Sequence, residues 1–259
     1  RNARYRVCDI YEAPDWYDVD YAGYRGEEQF YQLVLSRNVK PGGVVVELGA
    51  GTGRLTLRLV DAGYSLHGVE PSRAMRARFA AKCKKARVRV DVEDARAVDF
   101  VGPKSGRVDV VMFPFNGLLH TATRADMHAS FGHVRDQLDD DGRFALDITG
   151  PYWDAMLRGG TAWGKVDERV HPESGRTVLT CDRYEYVSAT RQIHIHIRYL
   201  LDGAREGVEV ELVQTMWTWQ EVLGALDDAG FAVDVVFGDV NMAPFDEGSP
   251  RLLVSARKR

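Results

Sequence analysis

The sequence predicts an α/β protein built on a mostly parallel sheet, and three observations carry that expectation. From about residue 39, short β-type apolar runs alternate with helical stretches, which is the signature of βαβ units around a parallel sheet. Val44 to Leu48 is an apolar run ending in glycines, as a strand covered on both faces should be. After residue 150 the texture changes to β-type runs separated by turn signals, so an antiparallel section is expected inside the α/β pattern.

Taken in order, Val44 to Leu48 is the first expected strand of the core. Arg54 to Ala62 follows as a helix with Leu55, Leu59 and Val60 on one side, and Gly63 closes it. Ser65 to Val69 is the next strand, and Pro71-Ser72 leads into a charged helix through Lys85. Val88 to Val92 and Val108 to Phe113 are expected as the third and fourth strands, Asp126 to Leu138 as a helix, and Arg143 to Ile148 as the fifth strand. Between Trp163 and Met216, turns are expected at Glu173-Ser174-Gly175, Ser188-Ala189-Thr190 and Asp202-Gly203. There Gln192-Ile193-His194-Ile195-His196-Ile197 alternates strictly between polar and apolar residues. A helix at Thr218 to Ala229 and two strands, Val233 to Phe237 and Leu252 to Ala256, complete the pattern. The expected organisation is an N-terminal helical lid over 1–38, a core over 39–150 and 217–259, and an antiparallel β insertion over 151–216.

A chain of 259 residues can bury one large core with an insertion. Its net charge of -4 argues against a broad basic field for a polyanion, so no nucleic acid partner is expected. The three cysteines, Cys8, Cys83 and Cys181, lack the spacing of a disulfide framework or a metal site, and a reducing cytoplasm is the expected compartment. No apolar run approaches the ~18 residues of a membrane span. The start Arg1-Asn2-Ala3-Arg4 is too polar for a signal peptide, and it lacks an initiator Met, so natural residues can lie upstream.

The chemistry concentrates where strands end. Gly49, Gly51 and Gly53 follow a buried strand and precede a helix, so they allow a sharp turn and bring a ligand close to the backbone and the helix N-terminus. The spacing is G-x-G-x-G, with Glu47 before it, whereas a dinucleotide fingerprint places its third glycine one position later. Glu70 ends the second strand, where an acid can accept both hydroxyls of a ribose. Glu93-Asp94 ends the third strand, within reach of an adenine edge. Each acid alone is more often a solvated loop carboxylate; three at adjacent strand ends point to a nucleotide-like ligand.

With those motifs in place, the chain resembles the class I SAM-dependent methyltransferases. Glu47 to Arg54 is similar to their glycine-rich motif, Gly68 to Met75 to their second motif, and Val92-Glu93-Asp94-Ala95 to their adenine-binding turn. The resemblance covers about two-thirds of the chain. It implies a Rossmann-like seven-stranded sheet with helices on both faces, with the antiparallel β insertion between the fifth strand and the last helix. It also implies S-adenosylmethionine as cofactor and S-adenosylhomocysteine as product. In the roles it implies, Gly49, Ala50 and Gly51 pass the methionine portion near Glu47, and Glu70 holds the ribose. Glu93, Asp94 and the Ala95 N–H meet the adenine, Pro71 and Met75 wall its ring, and Phe113 lines the methyl-transfer pocket. Pro71 departs from the small or aliphatic residue that many relatives carry there.

The acceptor side is less legible. Tyr17, Tyr21 and Tyr24 fall at i, i+4 and i+7, so they are expected on one helix face, either packing on the sheet or closing over the cofactor. Aromatic faces suit a sulfonium, and Tyr21 is the stronger cofactor candidate, with Tyr17 and Tyr24 on the acceptor. Phe113 to His120 follows the fourth strand; Asn116 is a candidate acceptor contact and His120 a candidate base or acceptor contact, against the more ordinary solvated or structural histidine. His194 and His196 share one face of an inserted strand, either reaching the acceptor or forming an outward polar face. No metal is expected. With no base standing out, N-methylation of a small-molecule amine is favoured over O-methylation, because a neutral amine attacks directly and loses its proton afterwards. The overall pattern is similar to enzymes that methylate amino groups of nucleotide-linked deoxy sugars, in which the insertion forms a substrate roof or a homodimer contact. The rivals are an NAD-linked oxidoreductase, an RNA or protein methyltransferase, and a non-catalytic protein that kept the pocket.

Overall fold

The computed structural model describes residues 3–103, 107–150 and 158–259. In chain order the strands are β1 (Arg4–Asp9), β2 (Gly43–Leu48), β3 (Leu66–Val69), β4 (Asp91–Glu93), β5 (Arg107–Phe113) and β6 (Arg143–Thr149). They continue as β7 (Asp167–Val170), β8 (Thr177–Val187), β9 (Gln192–Leu201), β10 (Glu206–Thr215), β11 (Phe231–Phe237) and β12 (Arg251–Lys258). The helices are α1 (Pro14–Tyr21), α2 (Glu28–Asn38), α3 (Arg54–Asp61), α4 (Arg73–Ala86), α5 (Arg124–Gln137) and α6 (Trp219–Asp228). Two compact units result, one within Arg1–Tyr24 and Pro151–Met216, the other within Arg25–Gly150 and Trp217–Arg259.

The larger unit is organised by a seven-stranded sheet in the order β11-β12-β6-β5-β2-β3-β4. Strands β2 to β6 are mutually parallel, and β12 runs antiparallel between β6 and β11. The strand order reverses on either side of β2, so the carboxyl ends of β2 and β5 flank the crevice where open α/β sheets bind ligands. Helices cover both faces. Phe30, Tyr31, Val34 and Leu35 of α2 and Leu55 and Leu59 of α3 pack with Val45, Val110, Met112 and Ala145. On the other face Phe131 of α5 meets Phe144 edge-on at 5.2 Å, and Phe144 meets Phe231 at 5.6 Å. Burying each of these large side chains contributes about 1.5–3 kcal/mol.

Helix ends follow local chemistry. Thr123 and Thr218 start α5 and α6 with reciprocal capping boxes to Asp126 and Glu221. At the end of α4, Arg87 turns left-handed (φ 59) and the Val88 N–H bonds back to Cys83 O at 3.1 Å. That closure takes up the residues expected to begin the third strand, so β4 starts at Asp91 rather than Val88.

The smaller unit is a five-stranded sheet, β1-β10-β9-β8-β7, antiparallel except that β1 lies parallel to β10. The three expected turns join β7 to β8, β8 to β9 and β9 to β10. Ile193, Ile195 and Ile197 are buried. On the same face Trp16 of α1 stacks on Tyr199 at 5.4 Å, and the Tyr199 hydroxyl donates to Asp20. The segment expected as a helical lid over 1–38 therefore opens with a strand, Arg4–Asp9, ahead of its helices. The two units part after Tyr24, so α1 belongs to one and α2 to the other.

Candidate active site

The turn after β2 is built from three left-handed glycines, Gly49 (φ 66), Gly51 (φ 57) and Gly53 (φ 78). A Cβ on Gly49 or Gly51 would meet nothing nearer than 3.8 Å, so these two are required by backbone conformation and leave an open cradle. Gly53 is different, because a Cβ there would lie 2.3 Å from the Phe79 ring. Glu70, at the end of β3, reaches across to this turn. One of its oxygens accepts the Gly51 N–H at 2.9 Å and the other accepts the Ser72 N–H at 2.7 Å. Burial raises its pKa, against the pull of those two N–H donors. Each oxygen keeps a lone pair, so the carboxylate can still accept ribose hydroxyls. Cradle and acid together fit the nucleoside and methionine portions of S-adenosylmethionine.

On the adenine side, Ser72 caps α4 by accepting the Met75 N–H at 3.2 Å, and Met75 is buried while Pro71 is exposed. Arg76 ties the two turns together. It donates to the Glu70 carbonyl at 2.7 Å and to Asp94 at 2.8 Å. Asp94 remains exposed and Ala95 half-buried. Glu93 does not join them. Its carboxylate accepts the N–H groups of Val101 at 2.7 Å and Gly102 at 3.0 Å, and lies 3.3 Å from His67 Nε2. Burial works to raise its pKa, but those backbone donors and His67 hold it below the usual carboxylate value. Of the two neighbouring acids, Asp94 is available to a ligand, whereas Glu93 is committed to the scaffold.

Beyond β5, the buried Phe113 ring stands beside the glycine turn. A Cβ on Gly49 would be 3.9 Å from it and one on Gly117 only 2.4 Å. Phe115 (φ 54) and Asn116 (φ 64) are consecutive left-handed residues. The Asn116 side-chain oxygen accepts the Thr149 N–H at 2.6 Å, so the amide that is a candidate acceptor contact also braces β6. A 3-10 turn, Gly117–His120, carries the imidazole. His120 keeps a solvent-exposed edge yet is surrounded by dense protein, and that desolvation lowers its pKa to about 4.

A buried polar layer underlies these loops, and most of it went unread in the sequence. Thr56 donates to the buried Glu47, whose pKa burial raises to about 7. Arg54 pairs with the fully buried Glu27 and lies 4.8 Å over the Phe115 ring. Asp147 accepts the Tyr31 hydroxyl at 2.9 Å and the Phe115 N–H at 2.8 Å, and it pairs with Arg251. The available signals were an acid inside the apolar run Phe144-Ala145-Leu146-Asp147-Ile148 and an arginine directly after the third glycine.

The remaining candidates belong to the smaller unit. The Tyr17 and Tyr21 rings lie 4.7 Å apart on α1. Tyr24 lies past the helix end in a turn, its N–H on Tyr21 O at 3.0 Å, so the i, i+7 relation is broken. His194 Nδ1 is 2.7 Å from Glu211, and His196 is 3.7 Å from Glu209 and 3.9 Å from Glu211. His194 is thus engaged across the sheet with β10, whereas His196 stands near its glutamates with a buried Nδ1 that has no hydrogen-bond partner among the described residues. Among the described residues no cluster of His, Cys, Asp and Glu has the form of a metal site. No helix among them is long and apolar enough to cross a membrane.

Comparison with known proteins bears on the domain and the fold. Residues 45–142 match the methyltransferase domain family. An uncharacterized methyltransferase of Anoxybacillus flavithermus is 31% identical over 137 residues, 50% of this chain and 55% of that protein. The chain spans about half the length of the curated relatives it matches. The CcbJ methyltransferase from Streptomyces caelestis superposes with a TM-score of 0.77 at 20% identity, covering 96% of this chain and 98% of its own. The sugar N-methyltransferase KedS8 from Streptoalloteichus has a TM-score of 0.69 at 20% identity, covering 94% of this chain and 91% of its own. Residues 45–142 thus resemble a methyltransferase domain, and the chain as a whole has the Rossmann-like fold of these solved methyltransferases.

Proposed function

We propose that this protein methylates a small-molecule amine, using S-adenosylmethionine bound at the glycine turn. The observation that supports the acceptor reading is the likeness of the fold to a sugar N-methyltransferase. Attack by an aliphatic hydroxyl would call for a positioned base, and none stands out beside the glycine turn among the described residues. An amine needs no such help, because its lone pair attacks first and the proton leaves afterwards. Bound there, S-adenosylmethionine supplies a methyl group already made electrophilic by its sulfonium.

The protein's part is to orient and to exclude water. The Gly49 and Gly51 backbone admits the methionine portion beside Ala50 and Glu47, Glu70 takes the ribose hydroxyls, and Asp94 with the Ala95 N–H takes the adenine edge. Met75 and Pro71 wall the ring, and Phe113 screens the transfer region. Tyr17 and Tyr21 offer the aromatic faces and phenolic hydroxyls that cationic groups bind. Amino sugars are the favoured acceptor class, a reading supported by the likeness to a sugar N-methyltransferase.

The test is transfer of label from S-adenosylmethionine to nucleotide-linked amino sugars, to their hydroxyl analogues and to total RNA. Label in the amine arm is expected; label mainly in the hydroxyl or RNA arm overturns the acceptor assignment. Tight NAD binding without a calorimetric response to S-adenosylmethionine would overturn the cofactor assignment.

Two further outcomes are expected. Glu70→Ala should weaken cofactor binding by roughly 1.5–3 kcal/mol, through lost hydrogen bonds to a charged group. Unchanged affinity by calorimetry would mean the ribose acid lies elsewhere. The pH–rate profile should rise only as the acceptor amine deprotonates, with no limb near 6.5, because His120 is already neutral there. His120→Ala should lower turnover yet leave the shape of that profile intact. A lost limb near 6.5 in the variant would show that the imidazole titrates in the working range.

A further inference from the structure

We infer that the buried Glu27–Arg54 pair and Asp147 act as positioning residues, holding the Phe115–Asn116 turn in the left-handed conformation from which the 117–120 segment is presented to the acceptor. The assignment of that segment to the acceptor rests on the function proposed above; the positioning itself rests on geometry.

Phenylalanine is a bulky side chain for a left-handed position, and here it is followed by a second left-handed residue. Such a turn persists only where its surroundings over-determine it. Asp147 supplies two of the ties: its carboxylate accepts the Phe115 N–H at 2.8 Å and its carbonyl accepts the Asn116 N–H at 3.2 Å. Thr149 adds a third through the Asn116 side chain at 2.6 Å. Arg54 completes the set from the other side, with its guanidinium 4.8 Å over the Phe115 ring.

Arg54 is also the first residue of α3, directly after Gly53 of the cofactor turn. One side chain thus links the cofactor turn to the segment after β5. Its aim is set by Glu27, fully buried at the N-terminal cap of α2. The second oxygen of Glu27, Oε2, is buried and has no hydrogen-bond partner among the described residues. Two charges with an orphaned oxygen are a poor way to stabilise a core, where apolar side chains of similar volume often do as well or better. Their arrangement makes sense if the fixed direction of the guanidinium is what matters.

The test uses the double variant Glu27→Gln/Arg54→Met, which removes both charges together and leaves neither unpaired. Amide exchange of residues 113–120 is expected to quicken by about tenfold or more, while the β5 and β6 amides stay protected. Affinity for S-adenosylhomocysteine should fall by clearly less than transfer to a nucleotide-linked amino sugar, which should fall by about tenfold or more in kcat/KM. Arg54→Lys keeps the ion pair but not a planar cation over the ring. It should show the same pattern at smaller size, and it decides the matter if the double variant does not fold. Unchanged exchange over 113–120 overturns the inference, as does a loss of S-adenosylhomocysteine affinity equal to the loss of transfer. If the wild type methylates no amino sugar, the proposed acceptor fails, and the exchange and affinity measurements still decide the positioning role.

Discussion

Gly53→Ala is expected to destabilise the protein by about 2–5 kcal/mol, far more than the same change at Gly49. Two effects add. A left-handed backbone, here φ 78, costs a residue with a Cβ about 1–2 kcal/mol. The new methyl would also stand 2.3 Å from Phe79 Cδ2, and overpacking a filled core costs about 1–3 kcal/mol. Phe79 is fully buried, and its ring packs in the layer containing Ala50 and Cys83, so it has little freedom to retreat. At Gly49 the nearest atom to a Cβ is 3.9 Å away, which leaves only the backbone term of about 1–2 kcal/mol. Urea denaturation of the two alanine variants separates the terms, and Phe79→Leu combined with Gly53→Ala should recover part of the loss. Equal midpoints for the two alanine variants would mean that the third glycine is kept for its backbone alone.

That contrast shows where the sequence could be read and where it could not. The strand–turn–helix unit was legible because its causes are local: an apolar run, glycines at a sharp turn, and a helix with one apolar side. The reason for Gly53 is not local, since the ring that excludes a side chain there lies 26 residues further on. The buried acids fall in the same class. Asp147 interrupts an apolar strand visibly enough, but its partners Tyr31, Phe115 and Arg251 come from three other segments. Strand β1 is not legible in the sequence because it is an edge strand whose partner β10 lies about 200 residues away, and most of its side chains stay exposed. The pair Glu93-Asp94 could have been resolved from sequence. Successive residues of an extended strand point to opposite sides, so one of two adjacent acids at a strand end turns away from a ligand approaching the other. His194 and His196 lie on the polar side of an alternating strand, which the sequence pattern makes legible. Their glutamate partners depend on register with β10, which alternation alone does not fix.

Glu47→Gln is expected to change stability in a pH-dependent way, and the sign is fixed by the direction of the shift. Burial raises the folded-state pKa of Glu47 from 4.5 to about 7, helped by Glu27 and Glu70 and opposed by the Thr56 hydrogen bond and Arg54. The folded protein therefore holds this proton more tightly than the unfolded chain does. Its contribution to stability is fully present below the unfolded value and is lost as pH rises through about 7. A shift of this size corresponds to about 3 kcal/mol, with no discount for solvent screening at so buried a site. Glutamine carries no charge at any pH and can still accept from Thr56, so it should be close to neutral at pH 4. Its advantage over the wild type should grow to about 3 kcal/mol by pH 8. Denaturation midpoints of both proteins across that range make the comparison, and a constant difference would mean that Glu47 titrates normally. We propose that this acid, which weakens the fold at neutral pH beside the cradle formed by Gly49 and Gly51, is kept for what its carboxylate does for a ligand. The same variant should therefore bind S-adenosylmethionine more weakly at pH 8 even as it resists urea better, the opposition expected when a site residue is held against the interest of the fold.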